Sequence, residues 1–255
     1  MAGGNQDTSP VPPRGVGGAG RHHARPAPPR PAETGTYHRT VLDLARTSVF
    51  LDFDGTISEA DTGVYLLERL APRDWRDVSD AYARGEIGSR ECLLDEWELL
   101  PAVVREDEAH LRAIAREVPI DPSAAALVDA LHGAGAEVTI ISDGFGFPVD
   151  EVARDLGVAV VTNAVDWASG RLEFPNEDRC CACSSCGTCK QAPIKDARHR
   201  GRATVLVGDG TSDRKAALIA DVVFAKAGLA AWCAANDVRY LGFEMLDDVH
   251  AALLP

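Results

Sequence analysis

A ten-residue stretch, Val49 to Ser58, constrains the fold more than any other part of this 255-residue chain. It reads Val-Phe-Leu-Asp-Phe-Asp-Gly-Thr-Ile-Ser, so a short apolar run leads into two carboxylates and a Gly-Thr turn. An apolar run of this length indicates a buried strand. Asp52 and Asp54 would then lie at its carboxyl end, where two aspartates can share a divalent cation and react with a phosphate.

Short apolar segments alternate with amphipathic helices from residue 45 onwards. This alternation predicts an α/β fold, a three-layer Rossmann-like parallel sheet with right-handed crossovers. Ligands of such sheets bind beyond the carboxyl ends of the strands. The predicted strands cover 47–53, 136–141, 158–162, 203–207 and 221–224, and the predicted helices lie near 122–133, 147–156, 211–219 and 227–236.

A purely helical insertion is predicted after the first strand, at about 59–121. Leu93, Leu94, Trp97 and Leu100 recur at helical spacing and should form one apolar face. Because the insertion follows the first strand directly, we expect it to form a cap over the carboxyl ends of the strands. The predicted cap helices cover 64–70, 75–83, 87–100 and 106–117.

The N-terminal segment, residues 1–44, is rich in Gly, Pro, Ala and Arg and has few large apolar side chains. Such a segment buries too little apolar surface to offset the entropy lost on ordering. We therefore expect a disordered tail followed by one domain over residues 45–255.

Charge and hydropathy limit the partners of the chain. The net charge is −13, and because residues 1–40 contribute +3, the remainder carries −16. A body this acidic repels nucleic acid and anionic membranes, so neither is expected as a partner. We find neither an apolar membrane span nor a signal-peptide pattern, and the expected location is cytoplasmic. The sequence does not indicate an oligomeric state.

Three predicted strands end in polar loops that a parallel sheet would bring to one edge. The second loop contains Ile140-Ile141-Ser142-Asp143-Gly144, and the third contains Gly208-Asp209-Gly210-Thr211-Ser212-Asp213. Asp52, Asp54, Asp209 and Asp213 would bring four carboxylates to this edge beside the Ser142 hydroxyl, a set that needs a cation to balance its charge. Because the ligands are all oxygen atoms, the expected cofactor is Mg²⁺.

The chain thus carries, in order, Asp-Phe-Asp-Gly-Thr, Ile-Ser-Asp-Gly, Lys190 and Gly-Asp-Gly-Thr-Ser-Asp. This set resembles the four motifs of the haloacid dehalogenase-like phosphatases, and the resemblance covers residues 47–255. It implies Mg²⁺-dependent hydrolysis of a small phosphorylated metabolite through an aspartyl-phosphate.

The resemblance also implies a role for each motif residue. Asp52 would be the nucleophile and Asp54 the general acid and base, while Ser142 and Lys190 would stabilise the phosphoryl group. Lys195 and Lys215 lie nearby, but Lys190 directly precedes the helix that leads into strand 203–207. The implied metal ligands are Asp52, Asp54, Asp209 and Asp213, and the residues expected to contact substrate are Thr56, Asp61, Asp143 and Gly144.

The helical insertion resembles the cap of the phosphoserine phosphatase-like branch, which closes over small substrates. Phe174-Pro175-Asn176 and the cysteines that follow resemble a stretch of the methionine-salvage branch, whose substrate is 2-hydroxy-3-keto-5-methylthiopentenyl-1-phosphate. A related stretch occurs in phosphoethanolamine and phosphocholine phosphatases. Three substrates therefore stay open: a keto-pentenyl phosphate, phosphoserine, and phosphocholine or phosphoethanolamine.

Five of the seven cysteines lie within ten residues, in the loop 180–190. Four thiolates would suffice for a structural Zn²⁺, and a reduced loop or a reversible disulfide is the alternative. Because Lys190 follows Cys189, whatever orders this loop also positions the lysine. A catalytically silent metal- or redox-sensing protein is the alternative from another functional class. The candidate zinc ligands are Cys180, Cys183, Cys186 and Cys189.

Overall fold

A computed structural model of the chain describes residues 42–177 and 185–254. The predicted tail, apart from its last residues, lies outside these ranges, and so do Cys180, Cys181 and Cys183. Within the described ranges, no helix has the length and apolar character needed to cross a membrane.

The centre of the fold is a sheet of six parallel strands in the order β3-β2-β1-β6-β7-β8. The predicted α/β class is confirmed, and the five predicted strands are all present. The β8 strand is an unpredicted two-residue addition at the edge. The strands of the chain are β1 (Thr47–Leu51), β2 (Glu137–Ile141), β3 (Ala159–Val161), β4 (Ala164–Asp166), β5 (Arg171–Glu173), β6 (Ala203–Gly208), β7 (Val222–Ala225) and β8 (Leu241–Gly242).

Five helices lie between β1 and the helix that precedes β2. Three of the four residues predicted to form an apolar face, Leu93, Trp97 and Leu100, are buried, whereas Leu94 is 37% exposed. The buried face packs against Phe145, which lies in the loop after β2, and Trp97 and Phe145 have ring centroids 5.0 Å apart. These helices are α1 (Thr62–Leu70), α2 (Arg76–Arg84), α3 (Ser89–Leu99), α4 (Ala102–Arg105) and α5 (Glu108–Ala115).

The remaining helices cover both faces of the sheet and complete a three-layer core. Leu127, Val149 and Leu246 belong to a cluster on one face, and Ile194 and Leu229 belong to a cluster on the other. The predicted helix 211–219 is a 3-10 turn followed by the short α9. The helices are α6 (Ala124–Gly133), α7 (Phe147–Leu156), α8 (Gln191–His199), α9 (Arg214–Ala217), α10 (Ala227–Ala235) and α11 (Leu246–Leu253).

An antiparallel hairpin, formed by β4 and β5, was absent from the sequence prediction. Its strands are three residues long, which is too short for an alternating pattern to stand out. Leu172 of the hairpin belongs to the same apolar cluster as Trp97, and the Trp97 indole donates a 2.8 Å hydrogen bond to the Gly170 carbonyl. Tertiary packing against α3 therefore stabilises this hairpin.

Replacement of Gly146 tests the packing at the start of α7. Gly146 has φ of +87°, and a Cβ atom there would lie 1.9 Å from the carbonyl oxygen of Asn163. We expect Gly146→Ala to lower the free energy of unfolding by about 3 kcal/mol or more, measured by urea denaturation.

The matched control is Gly157→Ala at the other end of the same helix. Gly157 also has positive φ, +64°, but no atom lies within 4 Å of the added Cβ. This variant should lose only about 1 to 2 kcal/mol. Equal losses in the two variants would contradict the proposed backbone clash.

Candidate active site

The neighbouring strands β2, β1 and β6 end at nearly the same height in the sheet, and this alignment brings the site residues together. Leu51 of β1 pairs with Ile140 of β2 and with Val207 of β6. Asp52 extends the strand register by one residue, because its backbone N–H donates to the Val207 carbonyl at 2.9 Å. The loops after β1, β2 and β6 therefore begin side by side.

Lys190 lies between two carboxylates. Its Nζ is 2.6 Å from Asp52 Oδ1 and 2.8 Å from Asp213 Oδ1, and all three side chains are at most 6% exposed. Burial lowers the pKa of Lys190, but Asp213 and Asp52 outweigh this effect and the net pKa is raised. The lysine is therefore held as a cation. Of the three lysines considered in the sequence, Lys190 is the one that forms ion pairs with both Asp52 and Asp213 within the described residues.

Asp213 connects the lysine to the loop after β6. Its Oδ2 accepts from the backbone N–H groups of Asp209 and Gly210, at 3.3 and 3.1 Å. Its other oxygen, Oδ1, accepts a hydrogen bond from the Lys190 ammonium. One fully buried carboxylate thus orients both the cation and the third acidic loop.

Asp52, Asp209 and Asp213 form a group suited to a metal ion. Each offers an oxygen within 4.8 Å of the other two. Burial and the charge of Asp213 raise the pKa of Asp52, and the same two causes raise the pKa of Asp209 to about 6. Bound Mg²⁺ would relieve this repulsion, and a set of carboxylate oxygens fits its preference. The residues present therefore fit the magnesium site expected from the sequence.

Asp54 is not a member of this group of side chains, so its expected role as a metal ligand stays a prediction. Its Oδ1 accepts from the backbone N–H of Thr62 at 2.8 Å and from the Thr62 hydroxyl at 2.6 Å. Burial and the neighbouring charge of Asp61 raise the pKa of Asp54 to about 7. A carboxyl group with this pKa can give and take a proton near neutral pH.

The loop after β2 lies close to the second oxygen of Asp54. A Cβ atom on Gly144 would lie 2.6 Å from Asp54 Oδ2 and 3.3 Å from Ser142 Oγ. Ser142 is fully buried, and its hydroxyl accepts from the Gly144 N–H at 3.1 Å. The Thr56 hydroxyl is buried and has no hydrogen-bond partner within the described ranges. Thr56, in the loop after β1, is therefore a buried hydroxyl for which the described residues supply no partner.

Asp143 and Asp61, which we expected to contact substrate, have partners within the protein. Asp143 Oδ2 accepts from Ser89 Oγ at 2.5 Å, and its Oδ1 accepts from the Thr188 N–H at 2.6 Å. Asp61 caps α1 by accepting from the Val64 N–H at 2.9 Å. Sequence reasoning missed Ser89 and Thr188, since they come from segments distant from Asp143.

Glu96 is a buried carboxylate in α3 that sequence reasoning missed. It is 8% exposed and accepts from the Ser79 hydroxyl at 2.5 Å. Burial raises its pKa to about 7, even though the Ser79 hydrogen bond acts in the opposite direction. Its position between Leu93 and Leu100, on the apolar face of the helix, could have identified Glu96 in the sequence as a buried carboxylate.

The cysteine loop is described only in part. Cys180 and Cys183 lie outside the described residues, while Cys189 is buried and the Lys215 ammonium donates to Cys186 Sγ at 3.4 Å. Within the described ranges, the group that could hold a metal consists of aspartates alone. The expected zinc site therefore gains no support.

Comparison with known proteins agrees with this geometry. Residues 49–218 match the model of the haloacid dehalogenase-like hydrolase family. A 2-hydroxy-3-keto-5-methylthiopentenyl-1-phosphate phosphatase from Brevibacillus brevis is 30% identical over 188 residues, which are 71% of this chain and 83% of the relative. The phosphatase of the same name from Exiguobacterium sp. is 25% identical, over 80% of this chain and 96% of the relative.

Solved structures of phosphoserine phosphatases share the fold. One, a phospho-aspartyl intermediate analogue, superposes with a TM-score of 0.63 at 18% identity and covers 81% of this chain and 97% of that one. Another, from T. onnurineus, has a TM-score of 0.60 at 18% identity, with 83% and 96% covered.

Replacement of Glu96 tests the buried carboxylate through the pH dependence of stability. Because the folded state raises this pKa from 4.5 to about 7, the folded protein loses stability as pH rises through that window. Glu96→Gln has no proton to lose. We expect it to match the parent near pH 5 and to be more stable near pH 8 by on the order of 3 kcal/mol, or about 5 to 10 °C in Tm.

Thermal unfolding of both proteins at a series of pH values measures this difference. Glu91→Gln changes an exposed glutamate of the same helix and serves as the control. A Tm difference between Glu96→Gln and the parent that is constant from pH 5 to pH 8 would refute the assignment.

Proposed function

We propose that this chain, which belongs to the haloacid dehalogenase-like hydrolase family, hydrolyses a small phosphomonoester through an aspartyl-phosphate on Asp52. The observation that carries the proposal is the contact of Asp52 with the buried Lys190 ammonium at 2.6 Å, beside the acidic group that fits a magnesium ion. A complete constellation of this kind argues against a catalytically silent sensing protein.

Asp52 attacks the phosphorus atom in the first step. A carboxylate oxygen forms a bond to phosphorus as the bond to the leaving alkoxide breaks, which leaves an aspartyl-phosphate. Lys190 and the Ser142 hydroxyl stabilise the negative charge on the phosphoryl oxygens. Because Lys190 is buried and paired before substrate arrives, it needs little reorganisation to do so.

Asp54 donates a proton in the first step and accepts one in the second. It protonates the leaving oxygen first, and then takes a proton from the water that attacks phosphorus and releases inorganic phosphate and free Asp52. The raised pKa of Asp54 and the fixed hydrogen bonds from Thr62 support this role.

Asp52, Asp209 and Asp213 would hold the magnesium ion. When bound, the metal supplies positive charge that lets an anionic substrate approach these carboxylates. The Lys190 ammonium supplies the protein's own positive charge at the same place.

Helices α1–α5, within residues 59–121, form a cap over the site in this proposal. Two cap residues already reach the loops of the core: Thr62 bonds to Asp54, and Ser89 bonds to Asp143. A lid of this kind excludes water during transfer and admits small substrates only.

The leading substrate is a methionine-salvage-type keto-pentenyl phosphate, because relatives up to 30% identical carry that activity in their names. A second candidate is an amino-alcohol phosphate such as phosphoethanolamine or phosphocholine. Its support is the resemblance of Phe174-Pro175-Asn176 and the cysteines that follow to a stretch of the phosphoethanolamine and phosphocholine phosphatases. Phosphoserine is the third candidate, and the fold shared with its phosphatases is the support for it.

Phosphate release from a panel of phosphomonoesters tests the function and names the substrate class. The panel includes the keto-pentenyl phosphate, phosphoserine, phosphoethanolamine and phosphocholine, each with Mg²⁺. We expect turnover of one class, which EDTA abolishes and added Mg²⁺ restores. Asp52→Asn should lose roughly 10⁴-fold or more of the rate. Turnover that Asp52→Asn retains would exclude the aspartyl-phosphate route.

Removal of the acid in Asp54→Asn tests the division of labour between the two aspartates. A p-nitrophenolate leaving group needs no proton, so this variant should release about one equivalent of p-nitrophenol rapidly and then turn over slowly. An alkyl phosphate should react roughly 10² to 10⁴-fold more slowly even in the first turnover. Rapid-quench measurement distinguishes the two phases, and Asp52→Asn, which should give no burst, is the control. Equal slowing of both first turnovers would contradict the role of Asp54.

A further inference from the structure

We propose that Asp143 is a positioning residue: it fastens the cap helix α3 to the segment that ends at Lys190, so that cap closure and lysine placement occur together. The inference rests on the proposed function and identifies a regulatory contact of the same site. Asp143 lies beside Ser142 but uses its carboxylate within the protein.

The two carboxylate oxygens of Asp143 join two separate parts of the chain. Oδ2 accepts from the Ser89 hydroxyl, in the first turn of α3, at 2.5 Å. Oδ1 accepts from the backbone N–H of Thr188, two residues before Lys190, at 2.6 Å. Ser89 is 8% exposed and Thr188 is 1% exposed, so water competes poorly for these bonds.

Asn163 completes the network from a third segment. Its side-chain oxygen accepts from the Thr188 hydroxyl at 2.9 Å, and its Nδ2 donates to the Gly144 carbonyl at 2.7 Å. The same Nδ2 also donates to Asp143 Oδ1 at 3.4 Å. Thr188 and Asn163, which both contact Asp143, are therefore also bonded to each other.

A second set of contacts holds the start of α3 against the same loop. The Arg90 N–H donates to the Ser185 carbonyl at 3.1 Å, and the Arg90 guanidinium forms an ion pair with Glu177. The guanidinium also lies 5.0 Å from the centre of the Phe174 ring. The first turn of α3 thus contacts the chain on both sides of residues 178–184.

Through these contacts Asp143, which directly follows Ser142, connects the loop after β2 to both α3 and the segment before Lys190. A movement of α3 away from the core must break the bond to Ser89 and release the oxygen that faces it. The Asp143 carboxylate would then be held by Thr188 and Asn163 alone, so the segment that leads to Lys190, two residues after Thr188, would be less firmly placed. The space around Asp143 supports this reading, since a Cβ on Gly187 would lie 2.8 Å from Oδ1 and 2.9 Å from the Phe174 ring.

The test compares Ser89→Ala, Asp143→Ala and the double variant with the parent. Ser79→Ala is the matched control, because it removes a serine–carboxylate bond of the same 2.5 Å length that joins α2 to α3 within the cap. Two readouts are measured on the full chain: calorimetric affinity for inorganic phosphate with Mg²⁺, and hydrogen exchange of the α3 amides.

We expect Asp143→Ala to weaken phosphate binding about tenfold or more, and Ser89→Ala about three- to tenfold. The double variant should be no weaker than Asp143→Ala, because both substitutions remove the same connection. Exchange of α3 amides should accelerate by similar factors, while exchange in α6 stays unchanged. Ser79→Ala should leave phosphate affinity unchanged.

Unchanged phosphate affinity and unchanged α3 exchange in Ser89→Ala would overturn the proposal. Additive losses of phosphate affinity in the double variant would also overturn it. If Asp143→Ala does not fold, Asp143→Asn replaces it, since Asn keeps one acceptor and should lose less. A parent protein that binds no phosphate would refute the proposed function. The exchange measurement would still test whether Asp143 connects α3 to the segment before Lys190.

Discussion

The buried contact of the Lys190 ammonium with the Asp52 and Asp213 carboxylates joins three separate elements of the core. Lys190 has 2% of its side chain exposed, and Asp52 and Asp213 are similarly buried. Removal of three charges from water is costly, so these side chains stabilise the fold only when each has its partner. The three residues belong to different parts of the core: Lys190 directly precedes α8, Asp52 follows β1, and Asp213 lies after β6. The ammonium can therefore contact both carboxylates only when α8, β1 and β6 are packed correctly.

The parallel sheet meets this condition through backbone hydrogen bonds. Register fixes Leu51 opposite Ile140 and Val207, which places the loops after β1, β2 and β6 at one edge. The chemistry then differs from loop to loop because the surroundings differ. Asp52 faces a lysine, whereas Asp54, two residues later, faces the hydroxyl and N–H of Thr62 and has a pKa of about 7. Two neighbouring aspartates are thereby suited to attack and to proton transfer.

Sequence reasoning succeeded where information is local. The apolar run before Asp52, the strand before Ser142 and the place of Lys190 ahead of a helix can all be read from nearby residues. It failed where a residue's surroundings come from distant segments. It did not anticipate that Asp54 would bond to Thr62, or that Asp143 would bond to Ser89 and Thr188. Neither contact has a periodic pattern in the sequence.

The cap meets the core at the starts of two helices, and this arrangement links shape to chemistry. Thr62, the first residue of α1, bonds to the acid–base candidate Asp54, while Ser89, the first residue of α3, bonds to Asp143. A helix that tilts about its far end moves its first turn most. Displacement of α1 would remove two hydrogen bonds that lower the pKa of Asp54, and displacement of α3 would loosen the segment before Lys190. The two proposed catalytic functions, proton transfer and charge stabilisation, are therefore both sensitive to the position of the cap.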